Sequence, residues 1–258
     1  MAEWNDPRIT TDRSGVVNAA TVGVPRATRD AGLRSYMLSV YNYMASGVLL
    51  TGIVAMLLVN SPLIQLVFNP ATGRPTLLPI VALFASLGVG IWLQAGINRM
   101  SVGTAKSLFF GYAALLGIAF STIFLAYTGV SIAQTFFAVA VAFGSLSLWG
   151  YTTKKDLSGW GNFLIMGVVG IFMALLLNIG IAIFTGAPSH TLDLVVSAIG
   201  VLLFAGLTAY DTQVIKSIYF AVGTGELAVK SAILGAFKLY LDFINMFLFL
   251  LRFMGNRR

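Results

Sequence analysis

The sequence contains no cysteine and a single histidine, His190, and these two scarcities exclude several kinds of site. Without cysteine the chain has no disulfides, no thiolate nucleophile and no cysteine-ligated metal. One histidine cannot form a multi-histidine metal centre or a histidine pair for proton transfer. Charge is also scarce, because only 10% of the 258 residues are charged, against roughly 25% in soluble domains. The chain therefore lacks much of the surface that keeps a protein soluble.

Apolar residues make up 58% of the sequence, and the mean hydropathy is +0.88. A spanning helix needs about 20 apolar residues, and an open sheet edge cannot satisfy its backbone groups in lipid. We therefore predict an all-α protein embedded in the lipid bilayer. The net charge of +7 is typical of cytoplasmic loops rich in lysine and arginine, so we expect no nucleic-acid partner.

Seven apolar runs are long enough to cross a bilayer. They cover residues 36–59, 78–97, 106–127, 131–150, 160–184, 192–212 and 231–252. Residues 1–35 are polar and carry five arginines, a composition that predicts a disordered basic tail. The predicted organisation is a cytoplasmic tail, 1–35, followed by a seven-helix transmembrane domain, 36–258.

The distribution of basic residues predicts the orientation. The residues placed on the cytoplasmic side, besides the tail, are Arg99, Lys106, Lys154, Lys155, Lys216 and Lys230. Seven spans then put the C-terminus outside, although it ends in Arg252, Arg257 and Arg258. Either the last segment is re-entrant or the other loops outweigh these arginines. We expect seven full spans and a cytoplasmic N-terminus.

Two aspartates lie within the last apolar stretches, in a chain with only nine acidic residues. Asp211 ends VVSAIGVLLFAGLTAYD, and Asp242 lies inside ILGAFKLYLDFINMFLFLLRF. A carboxylate inside a membrane helix is costly, so it is usually functional. If helical, the last span carries a polar stripe that should face the bundle. The stripe consists of Lys238, Asp242, Asn245, Phe249 and Arg252.

The sixth span carries a matching face, with Ser197, Phe204, Thr208 and Asp211. If the two faces meet, the carboxylates of Asp211 and Asp242 become neighbours and titrate as a unit. A shared proton would hold the pair closed. Its loss would leave an oxygen site of the kind that Ca²⁺ binds. The alternative is a structural salt bridge, Asp242 with Lys238 or Asp211 with Arg99.

The motif GLTAYDTQVIK, followed about thirty residues later by KLYLDFINMFLFLLRFMG, resembles the paired C-terminal signature of the Bax inhibitor family. TTKKDLS after the fourth span is similar to the family's basic loop. The resemblance covers residues about 34–255. It implies seven helices with the last one central, and a pH-sensitive calcium leak across the cell membrane, for a bacterial member the inner membrane.

Individual roles also follow from the resemblance. Asp211 and Asp242 match the pH-sensing pair of bacterial relatives, and Arg99 is the nearest candidate for a latch arginine at the end of the second span. Some relatives have a glutamate in that span, where this chain offers only Gln94. Other bacterial relatives modulate a membrane-bound ATP-dependent protease.

The leading hypothesis is therefore a calcium leak channel or proton-coupled calcium transporter. Asp211 and Asp242 would be the proton switch and the metal ligands, and Asn245, Arg99 and Lys238 would support them. Ca²⁺ is the transported ion, and we expect no permanently bound cofactor. The alternative is a regulator of a membrane protease or stress-response partner, which would bind through residues 1–35.

An intramembrane aspartyl protease also has two aspartates on adjacent spans. However, Asp242 lies in LYLDFIN, with no glycine beside it to open the helix for a peptide. We therefore expect no enzymatic activity. Cleavage of a model transmembrane peptide would test this.

Overall fold

The computed structural model describes residues 26–70, 72 and 74–257, and within them it is an all-α membrane protein. Seven helices in this described part of the chain are long and apolar enough to span a membrane, as predicted. They are α1 (Arg26–Val59), α3 (Leu78–Gly96), α4 (Val102–Ala126), α5 (Gly129–Thr152), α6 (Trp160–Thr185), α7 (His190–Val222) and α8 (Glu226–Met254).

The connection between α1 and α3 contains a small ordered unit. It consists of a one-turn helix, α2 (Ile64–Val67), and a two-stranded antiparallel hairpin, β1 (Phe68–Asn69) and β2 (Arg74–Pro75). Phe68 pairs with Pro75, and Asn69 pairs with Arg74. The connection between the predicted runs 36–59 and 78–97 is therefore partly structured.

Hydroxyl side chains fix where three of the spans begin. The side chains of Ser101, Thr128 and Ser189 accept hydrogen bonds from the first-turn N–H groups of α4, α5 and α7. These contacts satisfy donors that have no partner inside a helix. Gly186 ends α6 with φ of +82°, in the left-handed region that glycine adopts without a steric penalty.

The first helix begins earlier than predicted. α1 starts at Arg26, so residues 26–35, assigned to the disordered tail, are helical. Leu33, Tyr36, Met37 and Val40 are buried at helical spacing, and the Tyr36 ring packs on Tyr219 of α7 at 5.4 Å between centroids. This packing extends the helix beyond its apolar run. The prediction for residues 1–25 lies outside the described residues.

The last helix has the largest buried share of the seven spans. It packs against α7, α1, α5 and α4. Large side chains of α8 that are fully buried include Phe237, Tyr240 and Met246. In contrast, Phe84, Phe163 and Phe184 on other helices are exposed, as expected for side chains that face lipid. The buried surface of the bundle is thus concentrated around α8.

The last segment is long enough for a full span and is not broken into the two short helices of a re-entrant segment. α8 is one continuous helix of 29 residues, roughly 44 Å long at 1.5 Å per residue. The Arg257 backbone pairs with Tyr127, which follows α4, and the Thr128 N–H donates to the Asn256 carbonyl at 3.1 Å. Following the predicted topology, we call this end of the bundle, which also holds Asp193, the outer end.

Candidate functional site

The polar stripe of α8 faces α7 along most of its length. The Lys238 Nζ lies 3.8 Å from the Asp211 Oδ1. One turn beyond Asn245, the Phe249 ring stacks on Phe204 with centroids 5.8 Å apart and planes 23° apart. At the outer end, the Arg252 Nη1 lies 3.4 Å from the Asp193 Oδ1. The two faces singled out in the sequence therefore meet.

Asp211 and Asp242 are both buried, with 8% and 4% of their surface exposed. They are close enough to interact electrostatically, and Lys238 interacts with both. The Asp242 Oδ2 has no hydrogen-bond partner among the described residues. A buried acceptor without a partner is costly and calls for an explanation. Here it marks a position where a proton or a cation would be stabilised.

The ion pair at this site differs from both salt bridges considered from the sequence. Lys238 lies four residues before Asp242 on the same helix, yet its Nζ pairs with Asp211 of α7. Arg99 is exposed in the turn after α3, where its backbone N–H donates to the Gly96 carbonyl. Within residues 26–257 as described, no ion pair joins Arg99 to Asp211, so the latch role for Arg99 stays a prediction.

Asn245 is half-buried on the same stripe, one turn beyond Asp242. Its Nδ2 donates to the Leu241 carbonyl at 2.8 Å. The amide nitrogen is thus held by its own helix. The supporting role predicted for Asn245 stays a prediction.

A chain of hydroxyl groups braces α7 beside the carboxylates. The Tyr41 hydroxyl of α1 bonds the Ser147 Oγ of α5 at 2.7 Å, and the Ser147 Oγ bonds the Thr212 Oγ1 of α7 at 2.9 Å. Thr212 in turn donates to the Thr208 carbonyl. Because Thr212 follows Asp211 directly, these bonds fix the part of α7 that carries the carboxylate. Widely separated serines and threonines gave no sequence signal for this network.

A second hydroxyl pair braces α8. The buried Tyr240 hydroxyl bonds the Thr51 Oγ1 of α1 at 2.7 Å, and Thr51 also donates to the Ala113 carbonyl of α4 at 2.9 Å. Tyr240 lies two residues before Asp242. The Asp242 segment is therefore tied to two further helices, which makes the carboxylate position rigid.

Gln213 links two of the sequence motifs at the inner end. Its Oε1 accepts from the Leu157 N–H, and its Nε2 donates to the Lys155 carbonyl, both at 2.8 Å. The TTKKDLS loop is thereby held on α7, one half-turn after Asp211. Within this loop, the Ser158 N–H bonds the Asp156 carboxylate at 2.9 Å and lowers its pKa below the ordinary value. Asp156 orders the turn ahead of α6.

The donor set at the site is small. Among the described residues, no three side chains of His, Cys, Asp or Glu come together to hold a metal ion. With both carboxylates ionised and Lys238 protonated, the formal charge is −2 + 1 = −1. The arrangement can therefore exchange protons and attract a cation, but two carboxylates alone do not form a complete cage.

Comparison with known proteins adds a second, independent line of evidence. The family described as "Inhibitor of apoptosis-promoting Bax1" matches residues 33–258. An uncharacterised protein of Rickettsia prowazekii is 46% identical over 232 residues, which cover 90% of this chain and 93% of the relative. The inner membrane protein YbhL of Escherichia coli is 46% identical over 231 residues, covering 88% and 94%.

A relative from Caulobacter vibrioides is 41% identical over 234 residues, with 89% of this chain and 91% of that protein covered. The family match, residues 33–258, includes all seven predicted apolar runs, the TTKKDLS loop and both aspartates. Together with the paired motifs on α7 and α8, these matches show that the chain belongs to the Bax inhibitor family.

Proposed function

We propose that this protein is a pH-sensitive calcium leak pathway of a bacterial inner membrane, gated by Asp211 and Asp242. The observation that carries the proposal is the pair of buried carboxylates on facing helices, with an Asp242 Oδ2 that has no hydrogen-bond partner in the described part of the chain. Intramembrane carboxylates commonly mark ion pathways and proton relays. The name of the Escherichia coli relative, an inner membrane protein, supports the location.

In the proposed cycle, a proton shared by the two carboxylates keeps the site closed. Loss of that proton leaves a negative site between α7 and α8, and a divalent cation then replaces the proton. Calcium takes about six to eight oxygen ligands, so the pair would need amide, carbonyl or water oxygens as well. Such an incomplete set of ligands suits transient binding of a transported ion better than permanent binding.

The structure is consistent with a closed state of this pathway. The stacked rings of Phe204 and Phe249 lie along the α7–α8 contact between the carboxylates and the outer end. Phe249 also packs against Gly200, whose added Cβ would meet the ring at 2.6 Å. The seam is therefore filled with apolar atoms on the outer side of the site, and ion passage would require these rings to separate.

Calcium flux into proteoliposomes tests the proposal. Uptake by the wild type, measured from about pH 6 to about pH 8, should increase with pH because the carboxylate pair loses its shared proton. The substitutions Asp211→Asn and Asp242→Asn should abolish or shift this dependence. Asp156→Asn is the matched control, because Asp156 is an exposed loop carboxylate and its removal should leave the pH profile unchanged.

Equal flux at every pH for the wild type and both site variants would overturn the proposal. The aspartates would then serve as a structural bridge, and attention would move to protein partners of residues 1–35. Deleting residues 1–25, which leaves helix α1 (Arg26–Val59) whole, separates the two functions, because a leak through the bundle should survive the deletion and a partner interaction should not.

A further inference from the structure

Lys238 places a positive charge inside the proposed cation site. Its Nζ lies 3.8 Å from the Asp211 Oδ1, and on α8 the lysine precedes Asp242 by one helical turn. The position that a divalent cation would take between the two carboxylates is thus shared with an ammonium group of the protein itself. Two cations cannot occupy this position together without strong repulsion.

The lysine is held more loosely than the aspartates. Its side chain is 46% exposed, whereas the Asp211 side chain is 12% exposed. The distance of 3.8 Å is also well beyond a charge-assisted hydrogen bond of about 2.7–2.9 Å. Lysine has a long flexible stem and a strongly hydrated head, so this side chain can leave the site while the carboxylates remain in place.

The direction in which the lysine can leave is set by the helix. Side chains of an α-helix tilt toward its N-terminus, which for α8 is the inner end at Glu226. Lys238 lies roughly 18 Å from that end at 1.5 Å per residue. A lysine in this orientation can extend its ammonium toward the membrane surface while its stem stays in apolar surroundings.

From this geometry we propose that Lys238 is a tethered counter-cation, which occupies the aspartate pair and must withdraw before a divalent cation binds. The buried Asp242 Oδ2, which no described residue hydrogen-bonds, is the ligand atom that remains available when Lys238 is on Asp211. The lysine therefore sets the affinity of the site for calcium. This inference rests on the proposed function, since it assigns a regulating residue to the same site.

Binding of radioactive calcium to the purified full-length protein in detergent tests the inference at one fixed alkaline pH. Lys238→Met should bind calcium at least about tenfold more tightly than the wild type, because a competing charge a few ångströms away is removed. Lys238→Arg keeps the charge and should bind no better than the wild type. Lys230→Met is the matched control, since Lys230 pairs with Glu226 at the inner end of the same helix.

The double variant Asp242→Asn/Lys238→Met should lose the tighter binding, which assigns the effect to the carboxylate pair. Thermal unfolding of each variant shows whether it is folded. Equal calcium affinity of a folded Lys238→Met and the wild type would overturn the inference, as would tighter binding by Lys238→Arg.

Flux measurements on the same proteins separate this inference from the proposed function. If the wild type leaks calcium and Lys238→Met has the same calcium affinity as the wild type, the inference alone is overturned. Tighter binding by Lys238→Met without flux through any variant supports the inference and overturns the leak. Neither binding nor flux in any of the proteins overturns both.

Discussion

A single glycine sets how closely α5 approaches the helix that carries Asp211. A Cβ at Gly150 would meet the backbone of Ala209, overlapping its carbonyl oxygen and lying 2.9 Å from its Cα. Backbone atoms cannot turn away as a side chain can, so the two helices would have to separate. This close approach allows Ser147, one turn earlier on α5, to reach Thr212. Small residues serve the same purpose at many helix contacts in membranes.

The substitution Gly150→Ala should therefore destabilise the protein although alanine is the better helix former. The gain in helix propensity is about 1 kcal/mol, whereas forcing an extra carbon into a packed contact costs about 1–3 kcal/mol. Thermal unfolding in detergent measures the balance. Gly144→Ala is the control on the same helix, because its Cβ would meet no atom within 4 Å, and its unfolding temperature should not fall. A stability loss in both variants would argue against the close contact as the cause.

At the scale of helices, one carboxylate ties the outer ends of α7 and α8 together. Asp193 lies in the first turn of α7, where the helix dipole stabilises a negative charge. Arg252 lies in the last turn of α8, where the helix dipole stabilises a positive charge. The Arg257 Nη2 lies 3.6 Å from the second oxygen of Asp193. Contact with Tyr127 raises the pKa of Arg257, so this arginine stays charged.

Replacing Asp193 by Asn should lower stability by about 1 kcal/mol, the upper end for partly exposed ion pairs, because two arginines lose their partner. Glu226→Gln is the control at the other end of α8. It breaks a single pair with Lys230 in which the glutamate is 64% exposed. Unfolding temperatures at low and high salt should show a larger and more salt-sensitive loss for Asp193→Asn. Equal losses of stability in the two variants would contradict the role of Asp193 in joining the outer ends of α7 and α8.

Apolar runs predicted the lipid-facing parts of the helices well and their polar ends poorly. The predicted run 78–97 corresponds to the observed helix Leu78–Gly96, and the predicted run 160–184 corresponds to Trp160–Thr185. By contrast, the predicted run 192–212 lies within a longer observed helix, His190–Val222. Hydropathy reports the segment that lipid surrounds, whereas the extra turns of α7 are stabilised by contacts such as Lys216 donating to the Tyr151 carbonyl. Such contacts depend on tertiary packing, which the sequence pattern does not contain.

At the scale of the whole molecule, the two site aspartates could be predicted because carboxylates are rare in membrane spans. The side chains that pair with them could not be predicted. Asp211 and Asp242 stood out because carboxylates in spans are costly, and helical spacing placed them on facing stripes. The same spacing favoured Lys238 as the partner of Asp242, but the lysine reaches across to Asp211. Pairing across helices depends on their rotation and depth, which are set by contacts such as Gly150 on Ala209.

The arrangement of charge across the molecule also explains why arginines end a helix at the predicted outer side. Lys154, Lys155, Lys216 and Lys230 belong to the opposite end of the bundle. Arg252 and Arg257 are instead paired with Asp193. Pairing reduces the net positive charge that the membrane potential would hold on the inner side. The basic C-terminus is therefore compatible with an odd number of spans.

We expect the N-terminus to be cytoplasmic and the C-terminus to lie on the other side of the membrane. Alkaline phosphatase, which is active only after export, should be active when fused after Arg258 and inactive when fused to the α5–α6 loop at Lys155. A fluorescent protein that folds only in the cytoplasm should give the reverse pattern. Substituting Asp193 by Asn in the C-terminal fusion tests the role of pairing, because free arginines favour the inner side and should lower phosphatase activity. An inactive phosphatase in the unsubstituted C-terminal fusion would mean that α8 does not cross the membrane as the other six spans do.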